Sequence, residues 1–80
     1  MRILIVASSR DPHRQSEALR AALGLTLRGA RVEVAVAEPL LTPLAQRAAD
    51  TLRSFGHAVS TLGEDLSAAL ARADRVEIWT

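Results

Sequence analysis

The sequence predicts one small α/β domain, in which helices cover both faces of a four-stranded parallel β-sheet. Two observations carry this prediction. Strand-like and helix-like patterns alternate along the whole chain in the order β-α-β-α-β-α-β. The first apolar run, Ile3 to Ala7, contains no polar residue, which is the pattern of a strand covered on both faces. The length of 80 residues suits a single domain spanning 1–80.

The first two helices are predicted to begin with the same capping arrangement. Asp11-Pro12 and Thr42-Pro43 each place a side chain that accepts backbone amides before a proline that lacks an N–H. Gly29 and Gly56 are predicted to end the helices, because glycine readily takes a positive φ. The apolar stripes expected to face the core are Leu19, Ala22, Leu23, Leu27 and Ala30 in the first helix, and Leu44, Ala48, Leu52 and Phe55 in the second.

The remaining elements are predicted from alternation and from one shorter helical stripe. Residues 31–36 alternate between polar and apolar side chains at first, which is typical of an edge strand. Residues 57–62 form a weaker third strand, and 75–80 form an alternating last strand. Gly63-Glu64-Asp65 opens the third helix, whose stripe is Leu66, Ala69, Leu70 and Ala73.

These elements predict a small flavodoxin-like, three-layer α/β/α arrangement with strand order 2-1-3-4. The first helix then lies on one face, and the second and third helices lie on the other. The face above strands three and four would therefore be poorly covered, and we expect Trp79 there. The candidate oligomer interface is Arg75, Glu77 and Trp79, since a chain this small gains stability from association. The alternative is a Trp79 ring that lies flat over the rim of its own domain.

Composition excludes several kinds of chemistry. The absence of cysteine removes thiolate nucleophiles, disulfides and cysteine-bound metals, and His13 and His57 alone are too few for a zinc site. We therefore expect no metal and no cofactor. The ten arginines are scattered and aromatic residues make up only 2%, which argues against nucleic-acid binding. No apolar run approaches a membrane span, and a cytoplasmic location is expected.

A candidate ligand site follows the first strand. In open parallel sheets, ligands bind beyond the carboxyl ends of the strands at a switch point, which this strand order places between strands one and three. Hydroxyls, guanidinium groups and a helix N-terminus there would hold a small anion or a phosphate. The candidate residues are Ser8, Ser9, Arg10, His13, Arg14, Thr61 and Gly63, with Glu38 nearby.

Two features of this loop weigh against chemistry. It contains no glycine-rich phosphate motif, and a connector whose polar residues simply solvate a turn explains the same residues. Ser8, Asp11 and His13 share one loop, whereas a catalytic triad needs separate elements to hold each member. The sequence therefore predicts no catalytic residues.

Three stretches carry a family resemblance: ILIVASSRDP, ALRAALGLTLRGARVEVAVA and LGEDLSAALARADRVEIWT. Together they resemble the DsrE/DsrF/DsrH superfamily, which includes the TusBCD sulfur-relay subunits. The resemblance implies a subunit that assembles into trimers or hexamers, or with a paralogous subunit. Some members carry persulfide sulfur on a cysteine shortly after strand three, but residues 60–63 here contain none. What remains implied is a non-catalytic, self-associating subunit, an accessory partner in a sulfur-relay or related complex.

A second resemblance supplies the alternative function. Residues 3–37 are also similar to the start of universal stress proteins, which bind ATP. Those domains are nearly twice as long, and their later glycine-rich phosphate loop is missing here. The alternative is therefore a small-anion or nucleotide-binding domain that uses the loop after the first strand.

Overall fold

The computed structural model describes residues 1–37, 39–63 and 66–80. Glu38, expected near the candidate site, lies outside the described residues. So do Glu64 and Asp65, which were predicted to open the third helix.

Strands and helices alternate along the chain as predicted. They are β1 (Arg2–Ala7), α1 (Pro12–Thr26), β2 (Arg31–Val36), α2 (Pro43–Ser54), β3 (Ala58–Thr61), α3 (Leu66–Arg72) and β4 (Arg75–Trp79). Every pair of neighbouring strands is parallel. The predicted class, a small flavodoxin-like α/β domain with a four-stranded parallel sheet, is therefore confirmed.

The strand order differs from the predicted one. The sheet runs β3-β2-β1-β4 and not 2-1-3-4, so β2 lies inside the sheet and β3 takes an edge. Burial gives the physical reason: β2 buries four of its six residues, whereas none of the four residues of β3 is buried. The polar positions in β2 that suggested an edge have another cause. Glu33 is matched there by an arginine from α3.

Helices α1 and α2 lie together on one face and α3 lies on the other, whereas the prediction grouped α2 with α3. The chain moves twice in one direction, from β1 to β2 to β3, and then returns past β1 to β4. Right-handed crossovers therefore place the last helix on the opposite face. The core beneath α1 and α2 consists of Ile3, Ile5, Ala7, Val32, Val34 and Val36 from the sheet with Ala18, Leu19, Ala22, Ala45, Ala48, Ala49 and Leu52 from the helices.

The predicted helical stripes are buried at their centres and exposed at their ends. Leu19 and Leu52 are fully buried, but Leu27, Leu44 and Phe55 are 89%, 63% and 72% exposed. Leu27 and Phe55 are the C-cap residues of α1 and α2, so both follow the last residue of their helix. None of the seven residues of α3 is buried. The stripe predicted for α3 is therefore only partly covered.

The capping predictions are confirmed. The Asp11 side chain accepts a hydrogen bond of 2.9 Å from the His13 N–H, and Thr42 Oγ1 accepts one of 3.0 Å from the Ala45 N–H. The glycines that follow α1 and α2 both have positive φ. No helix in the described part of the chain has the length and apolar character of a membrane span.

Candidate functional site

The loop after β1 is closed by hydrogen bonds among neighbouring residues. Ser9 Oγ accepts a bond of 3.0 Å from the Asp11 N–H, and the Asp11 carboxylate accepts the His13 N–H. Ser8 donates to the Trp79 carbonyl oxygen twice, through its N–H at 3.0 Å and its hydroxyl at 3.3 Å. The loop's own residues thus occupy hydroxyl and amide groups that a bound anion would use.

Two carboxylates stand beside the basic residues at the start of α1. Glu17 Oε1 lies 2.6 Å from His13 Nε2, and Glu17 Oε2 lies 3.8 Å from Arg14 Nη1. Asp11 adds a second carboxylate at the helix N-terminus, where negative charge is favourable. An incoming anion would compete with Glu17 for the His13 and Arg14 side chains, and with Asp11 for the helix N-terminus.

Thr61 and Gly63 do not join the residues that follow β1. Strand β2 separates β1 from β3, and Leu62 N–H donates to the Val36 carbonyl oxygen at 2.6 Å, so the end of β3 lies beside the end of β2. With neighbouring strands about 4.8 Å apart, β3 ends roughly 10 Å from β1. The switch point therefore lies between β1 and β4, where the chain reverses its direction of travel across the sheet, and not between β1 and β3.

Arg14 and Trp79 meet at the switch point. The guanidinium carbon of Arg14 is 5.3 Å from the centroid of the Trp79 ring, within the range of a cation–π interaction. Arg14 Nε also donates to the Thr80 carbonyl oxygen at 3.2 Å. Trp79 is half-buried against the core beneath α1 and α2, in register with Ala7. The expectation that Trp79 lies on an uncovered face is therefore wrong, and its ring lies over its own domain.

The uncovered side of β4 carries aliphatic residues instead. Val76 and Ile78 lie in register with Leu4 and Val6, on the face that α3 covers. They are 38% and 66% exposed, because α3 does not extend over β4. On the opposite face, the Arg75 and Glu77 side chains form an ion pair with Nη2 and Oε2 2.6 Å apart. Strand β4 therefore combines an aliphatic face and a paired-charge face at a sheet edge.

The two edges of the sheet differ. On β3, Arg53 Nη2 donates to the Val59 carbonyl oxygen at 3.1 Å, so a side chain occupies a backbone group of that edge. For β4, the hydrogen bonds found within residues 1–37, 39–63 and 66–80 include no side chain bonded to the backbone of Val76 or Ile78. A strand edge with unpaired backbone groups is a template for another strand.

Sequence reasoning missed the partnership of Glu33 with Arg72. Arg72 Nε and Nη2 donate to the two carboxylate oxygens of Glu33 at 3.0 Å each. The hydrogen bonds from Arg72 hold the pKa of Glu33 below its ordinary value; burial opposes this, and the charges of Arg72 and Arg2 add to it. The two residues are 39 positions apart, so no local pattern links them.

Gln15 is a second missed residue. It is fully buried, although it is polar and lies on a helix. Its Oε1 accepts the Leu41 N–H at 2.9 Å and its Nε2 donates to the Pro39 carbonyl oxygen at 3.2 Å. Gln15 therefore ties the connection between β2 and α2 to the inner face of α1. The predicted stripe of α1, which includes Leu19 and Ala22, identifies that face, but it gives no sign that a polar residue belongs to it.

Among the described residues, no three histidine, aspartate or glutamate side chains gather to hold a metal ion. Comparison of the chain with protein-family models, with curated proteins and with solved structures finds no match. The residues described above are therefore the basis for assigning a function.

Proposed function

We propose that this chain is a non-catalytic, self-associating subunit of DsrE-like type that associates through β4. The observation that carries the proposal is the exposure of Ile78 and Val76, 66% and 38%, on a strand at the edge of the sheet. Branched aliphatic side chains beside open backbone groups favour addition of another strand. Arg75, Glu77 and Trp79, the predicted interface residues, belong to the same strand.

The residue chemistry supports a role without catalysis. The chain has no cysteine, and a hydroxyl does not carry a persulfide. In the loop after β1, the Ser8 hydroxyl donates to a backbone carbonyl, and His13 Nε2 faces Glu17 and not a serine. The family resemblance adds the setting: an accessory partner in a sulfur-relay or related complex, as a homo-oligomer or with a paralogous subunit.

The oligomeric state of two matched variants tests this proposal. Ile78→Asp places a charge on the exposed face of β4, and Leu44→Asp places one on α2, where the leucine is 63% exposed against 66% for Ile78. Analytical ultracentrifugation over a range of concentrations is expected to show an oligomer for the wild type and for Leu44→Asp, and a monomer for Ile78→Asp. A wild type that stays monomeric at every concentration would overturn the proposal.

One observation favours the alternative, a small-anion or nucleotide-binding domain. The loop after β1 lies at the switch point of the sheet, and Arg10, His13 and Arg14 follow there. Calorimetric titration with orthophosphate and with ATP tests it, using Arg10→Ala and Arg14→Ala, with exposed Arg20→Ala on α1 as the control. Binding that weakens in Arg10→Ala and Arg14→Ala but not in Arg20→Ala would support this function. A wild type that binds neither orthophosphate nor ATP would exclude it.

A further inference from the structure

We infer that two copies of the chain pair through β4 in antiparallel orientation about a two-fold axis at Val76, with Arg75 of each copy facing Glu77 of the other. The two four-stranded sheets would then form one continuous sheet. This inference rests on the proposed self-association and adds the partner, the direction and the register.

The backbone of β4 sets which residues lie on the free edge. Ser8 N–H donates to the Trp79 carbonyl oxygen, and Ala7 lies in register with Trp79. Because backbone groups alternate in direction along a strand, residues 75, 77 and 79 direct theirs toward β1, and Val76 and Ile78 direct theirs outward. In an antiparallel pair centred on Val76, the two Val76 residues exchange two N–H···O=C bonds.

The charges of β4 are self-complementary in this register. Arg75 and Glu77 of the two copies lie directly opposite each other at the narrow positions of the ladder, where Cα atoms are about 4.5 Å apart. Each copy already pairs these residues internally at 2.6 Å. The dimer would therefore hold a closed ring of four alternating charges, and cross-strand pairs of opposite charge stabilise antiparallel strands.

Other registers lose this complementarity. An axis at Arg75 or at Glu77 places identical charges directly opposite each other, which is unfavourable. An axis at Ile78 places Glu77 against Trp79, so Arg75 and Glu77 of the two copies no longer face each other.

Pairing of β4 with β3 of another copy is also disfavoured. That contact is heterologous, so it gives a ring only where its rotation closes and an open filament otherwise, and it meets the Arg53 side chain on the β3 edge. The two-fold contact instead closes after two copies. It also fits inside a hexamer built from three dimers, but not inside a cyclic trimer.

A charge exchange tests the pairing. Arg75→Glu alone and Glu77→Arg alone each place like charges at both cross-strand positions, so we expect the dimer dissociation constant to rise on the order of ten- to a hundredfold. An equimolar mixture of the two variants restores both opposite-charge pairs and is expected to form a heterodimer. The double variant Arg75→Glu/Glu77→Arg, which keeps the internal pair as well, is expected to dimerise like the wild type.

Disulfide trapping tests the register directly, because the chain has no cysteine of its own. The Cα atoms of the two Val76 residues would lie about 5.5 Å apart, within disulfide range. The two Ile78 residues would be offset by four residues, or about 14 Å, beyond that range. Under mild oxidation, Val76→Cys is therefore expected to give a covalent dimer and Ile78→Cys is not.

The outcomes separate the two proposals. Single charge variants that associate as tightly as the wild type, or trapping through Ile78→Cys but not Val76→Cys, would overturn this pairing and leave self-association standing. A wild type that is monomeric throughout would overturn self-association, and the pairing with it. Circular dichroism of each variant establishes that it is folded before its association is compared.

Discussion

Arg72, the last residue of α3, forms a bidentate ion pair with Glu33 of β2, in which both hydrogen bonds are 3.0 Å long. No residue of α3 is fully buried, although the face of β1 that the helix covers is, with Leu4 and Val6 only 1% and 8% exposed. Paired donation from a planar guanidinium to a carboxylate fixes both the distance and the orientation of the two groups. The position of α3 on the sheet therefore depends on a polar contact as well as on apolar packing.

Removal of this contact should loosen α3 while the rest of the domain stays folded. Arg72→Ala is expected to increase hydrogen exchange of the α3 amides, because the helix loses its main polar attachment to β2. The free energy of unfolding should fall by only about 1 kcal/mol, since the pair is partly exposed. Exchange measured by mass spectrometry checks this, with exposed Arg20→Ala on α1 as control. Unchanged hydrogen exchange in α3 would show that the Arg72–Glu33 contact does not hold the helix on the sheet.

The same pair makes stability depend on pH. The pKa of Glu33 is lowered in the folded chain, chiefly by the hydrogen bonds from Arg72, so the unfolded chain binds the proton more readily. The stabilisation is fully present above the ordinary value of 4.5 and is lost as the pH falls through the lowered folded value. The difference in unfolding free energy between wild type and Glu33→Gln should therefore shrink on acidification. Urea unfolding at several pH values measures it, and a difference that stays constant would count against the pair.

Gln15 should be one of the residues least tolerant of an apolar substitution. Gln15→Leu leaves the Leu41 N–H and the Pro39 carbonyl without this partner. Both bonds are only partly buried, so water replaces part of what is lost. A loss of about 1–3 kcal/mol is expected in denaturant unfolding. Gln46→Leu is the matched control, because that side chain is exposed and bonds only to exposed Asp50. Equal effects of the two substitutions would refute the role given to Gln15.

His57 should act as a hydrogen-bond acceptor for the second strand. Its Nδ1 accepts the Val32 N–H at 3.2 Å, so in the neutral ring the proton is carried by Nε2. His57→Leu removes the acceptor and should destabilise the chain by about 1–3 kcal/mol. His57→Asn, whose side-chain oxygen reaches a similar position, should recover part of that loss. Thermal unfolding of both variants provides the comparison, and a leucine variant as stable as the asparagine variant would exclude the bond.

Local chemistry made some elements predictable from the sequence. The pairs Asp11-Pro12 and Thr42-Pro43 identify two helix starts because the capping group and the proline act within a few residues of each other. The bounds of β2 follow equally from the alternation of residues 31–36. These predictions needed no knowledge of how the elements pack.

Local patterns of this kind do not predict the strand order, nor the features that depend on it, which are the position of the switch point and the face on which Trp79 lies. Alternating strands and helices are common to several parallel-sheet orders, and right-handed crossovers around a central first strand do not decide whether β3 lies beside β1 or beside β2. Placing β3 beside β1 brought Thr61 into the candidate ligand site and put Trp79 on the wrong face of the sheet. Leu27 and Phe55 show a second limit of the sequence pattern. Both continue the apolar spacing of their helices, yet they are 89% and 72% exposed.

The pairing of β4 with β1 has a consequence for how the chain folds. Asp74 Oδ2 accepts the Arg2 N–H at 2.7 Å across a sequence separation of 72 residues, whereas β1, β2 and β3 are joined through successive short crossovers. Closing so long a loop loses more chain entropy than closing each short crossover, so β4 is expected to dock late. Substitutions in β4 should then mainly speed unfolding, and substitutions in β1 should slow folding. Until β4 docks, β1 has no neighbouring strand on one side, and its backbone groups there are unpaired. A newly made chain is most prone to aggregate in this state.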